Sequence, residues 1–328
     1  MRFVEWTQES ADPLITGVLL PCRIETVSSE LLEQTAAAAR RLGTLVRIHA
    51  LQGLAERADI VARSGVTPLR LLVQVGLVGP DVLIPHAIFT DVNPDTAAFD
   101  QANGLHPEST ADGDLGTLAR TGTAIIHCAL TSLRYAHALR TFGAYRAAGV
   151  RIALGTDSFP PDLIRSIDVG VGVAKLLTGR LDGRAADHLG DADATVTAST
   201  AGIADHLRAA TLGGAAALGR PDLGRLAPGA QADLVAFSLD DLRDGPIDDP
   251  VRTLVTNGSG LSTRFSMIAG RTVVENGTLP GLDEEALREE AQALFERLRA
   301  GYAARSHTAR TPDELFPPAF QRAGSEIR

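Results

Sequence analysis

The most constraining feature of this 328-residue chain is a rhythm of short apolar runs, each closed by a turn, recurring at roughly 30–40 residue intervals. Residues 14–20 (LITGVLL), 45–48 (LVRI), 82–85 (VLIP), 123–126 (TAII) and 150–154 (VRIAL) have the length and β-branched content of buried strands. Stretches with helical spacing lie between them. One runs from the Ser28-Ser29-Glu30 start signal to Gly43, one spans 54–76 with Pro68 interrupting it, and shorter ones cover 114–120 and 139–148. Strands alternating with helices at this spacing predict consecutive βα units around a parallel sheet.

The last four runs lead to His49, His86, His127 and Asp157. Asp157 follows the turn Gly155-Thr156, so it sits at the C-terminal end of its strand, the edge that carries the chemistry in parallel α/β folds. A single Asp in such a place is most often a helix cap or turn residue. Four such endings in register predict a functional site along that edge.

Composition narrows what the site can serve. Hydrophobic residues make up 45% of the chain, enough for a sizeable core. With 31 basic against 40 acidic residues the formal net charge is -9, which leaves no basic surface for a nucleic-acid backbone. The two cysteines, Cys22 and Cys128, are far apart, which argues against a disulfide framework or structural zinc and for a reducing compartment. The N-terminus MRFVEWTQES lacks the pattern of a signal peptide, and no apolar run approaches about 18 residues, so the expectation is a soluble cytoplasmic protein with no membrane partner.

Beyond Asp157 a helix is expected over 163–177, a surface loop over the Ala- and Thr-rich 182–199, and a helix over 201–218. The organisation changes near residue 220. A strand at 232–237 and a hairpin of 265–268 with 272–275 make the next part β-rich. Residues 284–298 form an amphipathic helix expected to pack on the domain through Leu287, Ala291, Leu294, Phe295 and Leu298, and 311–328 reads as a loosely held end. The implied division is 1–220, 221–281 and 282–328.

Imidazole and carboxylate converging at one edge suit a borderline divalent cation such as zinc, and His49, His86 and Asp157 are the converging set. The reaction class is metal-assisted hydrolysis, with Asp157 orienting or deprotonating the attacking water. His127, between Ile126 and Cys128, reads as a buried imidazole, and His106, His137, His188, His206 and His307 carry no assignment. The chain lacks GxGxxG after its first strand, GxxxxGK[ST] and GxSxG, so nucleotide-binding and serine-hydrolase readings have no support.

These residues stand in segments that resemble the amidohydrolase superfamily, specifically its cytosine deaminase, guanine deaminase and triazine chlorohydrolase branch. The segments are RIHALQGLAE (47–56), LVGPDVLIPHAIFTD (77–91), GTAIIHCALTS (122–132) and GVRIALGTDSFPPD (149–162). Further on, 210–239 resembles that branch's last helix and return to a β-sandwich, and MIAGRTVVENGTL (267–279) its closing strand pair. The resemblance implies an α/β fold in which the five runs are strands four to eight of a TIM (β/α)8 barrel, with a C-terminal piece of a β-sandwich. It implies His49 as metal ligand, His86 as the residue polarising substrate or water, and Asp157 as metal ligand and proton shuttle. The metal implied is zinc or iron.

Two departures bear on this. No pair of histidines here is separated by one residue, so the family's His-X-His, which supplies two ligands from strand one, is missing, along with strands one to three. The implied metal site is incomplete, and the exposed sheet edges imply a fragment of a longer protein or a homo-oligomer. Gln52 occupies the place where the deaminases carry a glutamate, and its neutral amide reads as substrate-orienting. Two functions follow. One is hydrolysis of a C–N or C–Cl bond of a small heterocycle or amidine; the other is a catalytically inactive, truncated barrel serving as a binding module.

Overall fold

The structure, a computed structural model, describes residues 2–10, 12, 14–139, 142–158, 160–181 and 201–320. Four strands form a wholly parallel sheet in chain order: β1 (Val46–Arg47), β2 (Val82–Pro85), β3 (Ala124–His127) and β4 (Arg151–Leu154). The register aligns Leu83 with Ala124 and Ala124 with Arg151, so the strand ends fall along one edge.

The first expected strand is present only as an interrupted border to β1. Leu19 and Arg23 bridge to Val46 and His49 in parallel, through Leu19 N–H to the Leu45 carbonyl (2.9 Å) and Ile24 N–H to the His49 carbonyl (3.0 Å). Between them Pro21 has no N–H to give and Cys22 takes a left-handed φ of 72°, which breaks the ladder. The buried strand expected over 14–20 is therefore not found. Leu14, Ile15, Val18 and Leu20 are exposed, and among the described residues the segment bridges to a strand only through Leu19 and Val46.

Both faces of the sheet are covered, which explains why β2 is apolar at every position. Val82 and Ile84 enter the main core with Ile48, Ile125, Leu69, Leu72 and Tyr145, whereas Leu83 joins Ala124, Ala153 and Ala217 on the other side. The flanking helices begin and end where local chemistry dictates. Ser28 caps Ser29–Leu42 by accepting from Leu31 N–H, and Gly43 closes it in the left-handed conformation. Leu54–Ser64 and Pro68–Gln74 are separate helices, divided as Pro68 predicts.

The helix expected over 201–218 runs from Ile203 to Ala217, as Ile203–Arg208, a π-turn over Ala209–Gly213, and Gly214–Ala217. The π-turn lies where Gly213 meets β4 so closely that a Cβ there would overlap the Ile152 carbonyl oxygen. The loop expected over 182–199 and the last residues, 321–328, lie outside the described residues.

A second, antiparallel sheet follows: β5 (Leu234–Phe237), β6 (Thr263–Ile268) and β7 (Arg271–Glu275). The two-residue turn Ala269-Gly270, with φ of 48° and 77°, matches the twist of the hairpin it joins. The helix Glu284–Ala300 differs from expectation. None of its residues is buried, and Leu287, Leu294, Phe295 and Leu298 are about half exposed. Phe295 and Leu298 instead line an open groove with Tyr302, Leu315 and Phe316, because the terminal segment supplies apolar neighbours that do not seal it.

Candidate functional site

At the carboxyl edge of the parallel sheet the backbone leaves strand geometry in a series of left-handed residues: Cys22 (φ 72°), Leu51 (59°), His86 (70°), Ala87 (47°) and Asp157 (57°). Each non-glycine residue in that region costs about 1–2 kcal/mol, and such strain gathers at sites whose geometry the surroundings impose. These turns surround a cavity of about 480 Å³ whose lining includes His49, Gln52, His86 and Asp157. All four residues singled out in the sequence thus share one space.

The strained backbone separates two histidines that stand level on adjacent strands. His127, still inside β3, aligns with Leu154 and is buried against Phe142 and His206, away from the cavity. His86, just past β2, turns out of the strand and lines the cavity while remaining only 2% exposed. Its N–H donates to the Ile126 carbonyl (2.8 Å), which ties the turn to β3. The next carbonyl, of Ala87, accepts from the hydroxyl of buried Tyr145 (2.7 Å).

His86 Nε2 lies 3.8 Å from Asp157 Oδ2, and its Nδ1 is 3.4 Å from Ser132 Oγ. Burial, reinforced by His49, pushes the His86 pKa down to about 4 against the opposing pull of Asp157. His86 is therefore a neutral imidazole near pH 7, with one donor and one acceptor nitrogen. The His49 ring centre is 5.5 Å from that of His86. Its Nδ1 is 3.1 Å from the Cys22 carbonyl, which can only accept, so in the neutral ring Nε2 keeps its lone pair free.

Gln52 has its side-chain oxygen occupied by Arg23 Nη1 (3.0 Å), so its amide N–H groups are the end left to donate. Arg23 is in turn paired with Glu25 at 2.5 Å. Arg23, Ser132 and His137 also line the cavity and were not anticipated. Ser132 sits in the segment after β3, whereas nothing in the local sequence marks Arg23 or His137. His137 reaches the site through the fold of the loop that follows Ala129–Arg134, where it meets Phe89 edge-on at 5.1 Å.

Two imidazoles and a carboxylate are donors of the kind a divalent cation takes. Among the described residues, however, no group of three or more His, Cys, Asp or Glu side chains is close enough to hold a metal ion. The donors face the cavity as a partial set, consistent with the absence of a His-X-His pair.

A parallel sheet that sends imidazole and carboxylate groups from the ends of β1, β2 and β4 into one cavity defines an α/β protein with its polar cavity at the carboxyl edge. The chain belongs to the amidohydrolase family, which it matches over residues 3–273. It is 31% identical over 296 residues to the 5-methylthioadenosine/S-adenosylhomocysteine deaminase of Halobacterium salinarum, covering 89% of this chain and 60% of that protein. It is 32% identical over 273 residues to the hydroxydechloroatrazine ethylaminohydrolase of a Pseudomonas species, covering 83% of this chain and 50% of that protein. Among solved structures, a zinc-bound adenosine deaminase from Xanthomonas campestris superposes with a TM-score of 0.72 at 26% identity, over 90% of this chain and 60% of the other. The chain therefore spans about 60% of the length of the two deaminases and half that of the ethylaminohydrolase.

Proposed function

We propose that the cavity is the active site of a hydrolase that adds water to an aminated or chlorinated carbon of a small heterocycle or amidine and releases ammonia, an amine or chloride. The observation that carries this reading is the convergence of His49, His86 and Asp157 on one cavity, with His86 Nε2 3.8 Å from the Asp157 carboxylate. The family relationship and the deaminase and ethylaminohydrolase relatives support it.

In this reading Asp157 accepts a proton from the attacking water and returns it to the departing nitrogen. Neutral His86 hydrogen-bonds the reacting centre and orients Asp157. Gln52, its oxygen held by Arg23, donates its amide N–H to a ring nitrogen or oxygen of the substrate. His49, His86 and Asp157 are the donors this chain offers towards a divalent cation, zinc as in the Xanthomonas campestris deaminase or iron, but as placed they are a partial set that does not by itself enclose one. Such a cation would supply a Lewis acid that makes water more acidic. The glutamate that serves as proton carrier in the deaminases is replaced by Gln52, so proton transfer falls to Asp157 alone.

The same reading assigns residues 1–220 to strands four to eight of a (β/α)8 barrel, 221–281 to strands of a β-sandwich, and 282–328 to a terminal helix and tail. The test is release of ammonia or chloride from a panel of aminopurines and amino- and chloro-triazines, with zinc or iron supplied. Turnover by the unaltered chain and its loss by about 10²-fold or more in Asp157→Asn are expected. No release from any compound, or full activity in Asp157→Asn, overturns the reading; the first of these leaves the chain as a binding module.

A further inference from the structure

The two turns that carry the site are tied through a group outside the cavity. Glu56, in the first turn of the helix Leu54–Ser64, is only 3% exposed. Its Oε1 accepts the backbone N–H of Leu51 at 2.5 Å, and its Oε2 accepts that of Gln52 at 3.1 Å. The Leu51 carbonyl then accepts both Ile88 N–H and Phe89 N–H, each at 2.8 Å. Leu51 itself has a left-handed φ of 59°, a costly conformation for a leucine that needs its backbone groups held from both sides.

We propose that Glu56 is a positioning residue: its carboxylate fixes the turn bearing His49 and Gln52 and, through the Leu51 carbonyl, holds that turn in register with the one bearing His86. The physical argument is that a carboxylate offers acceptors on both oxygens, whereas an amide of the same shape offers one acceptor and one donor. In Glu56→Gln the amide nitrogen faces either Leu51 N–H or Gln52 N–H, donor against donor, in a buried place where water cannot substitute. One of the two bonds is lost and the left-handed Leu51 loses a restraint. Its carbonyl swings, and with it the Ile88 and Phe89 amides that follow His86.

The inference rests on His49 and His86 being working groups of the site. Its test therefore reads their placement directly rather than turnover. In the full chain with carbon-13-labelled histidine, held at about pH 9 where Glu56 is ionised, Glu56→Gln is expected to move the ring resonances of both His49 and His86. Those of His127 and His206, which pack together away from the cavity, stay in place. Glu56→Asp, which keeps two acceptors on a shorter arm, is expected to move the same two resonances less, and it serves as the reading if the glutamine variant does not fold.

Where turnover is measurable, Glu56→Gln is expected to lower kcat by up to about 10²-fold with KM little changed, as misplacement of reacting groups does. A folded Glu56→Gln protein of lowered thermal stability whose His49 and His86 resonances are unmoved overturns the proposal, leaving Glu56 with a stabilising role only. Absence of turnover in every variant, with the two resonances still displaced, counts against the hydrolase reading and not against this one.

Discussion

His86 and His127 show how little residue type alone says about role. One faces the cavity; the other is buried in the core with Nδ1 lacking a hydrogen-bond partner. Burial pushes the His127 pKa down to about 3, with His206 and His86 acting in the same direction. Above pH 6.5 both the folded and unfolded chains hold His127 neutral, and its contribution to stability is complete. As pH falls from about 6.5 towards 3 the unfolded chain takes a proton that the folded one refuses, so that contribution is lost. Glu56 and Asp114, whose carboxyls burial raises to about 7, work oppositely over pH 7 to 4.5, so the raw melting curve reports a balance. A difference between two proteins isolates the histidine. The thermal midpoint of His127→Leu, relative to that of the unaltered chain, is expected to rise between pH 7.5 and pH 5. A difference that does not vary with pH would remove His127 from the account.

The site also depends on what is not visible one residue at a time. Glu56 reads in the sequence as an ordinary acidic residue near a helix start, and only its burial against Leu51 and Gln52 shows otherwise. His137 and Arg23 carry no local mark because loops bring them in. His49, His86 and Asp157 were legible because an apolar run ending in a turn delivers its next polar residue to the sheet's edge.

At the scale of elements, the runs after residue 44 became strands where expected, since apolar residues bounded by turn chemistry have few other ways to bury both faces. The segment at 14–20 did not, although its sequence looks equally apolar, because a strand needs partners as well as propensity. The helix over 201–218 formed much as expected, but with a π-turn inside it. Its π-turn answers to the Ile152 carbonyl, which no local pattern reveals. Two neighbouring glycines test this contact. Gly213→Ala places a Cβ against that oxygen and is expected to destabilise the fold by about 1–3 kcal/mol, as overpacking does. In Gly214→Ala the added Cβ meets its nearest atom, the Ala209 carbonyl oxygen, at 4.0 Å, and helix propensity makes the change neutral or stabilising by up to about 1 kcal/mol. Denaturant midpoints that fall equally in both variants would show that the close approach is not what sets the π-turn.

Over the whole molecule, burial is concentrated in residues 24–217, whereas no residue of β5, β6, β7 or the helix Glu284–Ala300 is buried. The terminal helix therefore adds little to the cooperativity of the parallel sheet. Ending the chain after Gly281 is expected to leave the thermal midpoint of the main transition unchanged. A large fall would mean that the groove lined by Phe295, Leu298 and Phe316 closes on the rest of the protein in solution.

The amino-acid sequence by itself determined the alternation of strand and helix, the parallel sheet and the edge to which His49, His86 and Asp157 are delivered. These follow from local apolar patterning and turn chemistry, which act over a few residues. Only the tertiary structure decided which histidines share a cavity, that Arg23 holds Gln52, that Glu56 ties two turns, and that the apolar faces of 14–20 and 284–300 stay open. Those outcomes depend on left-handed backbone at single residues and on partners far away in the chain, and no local pattern carries that information.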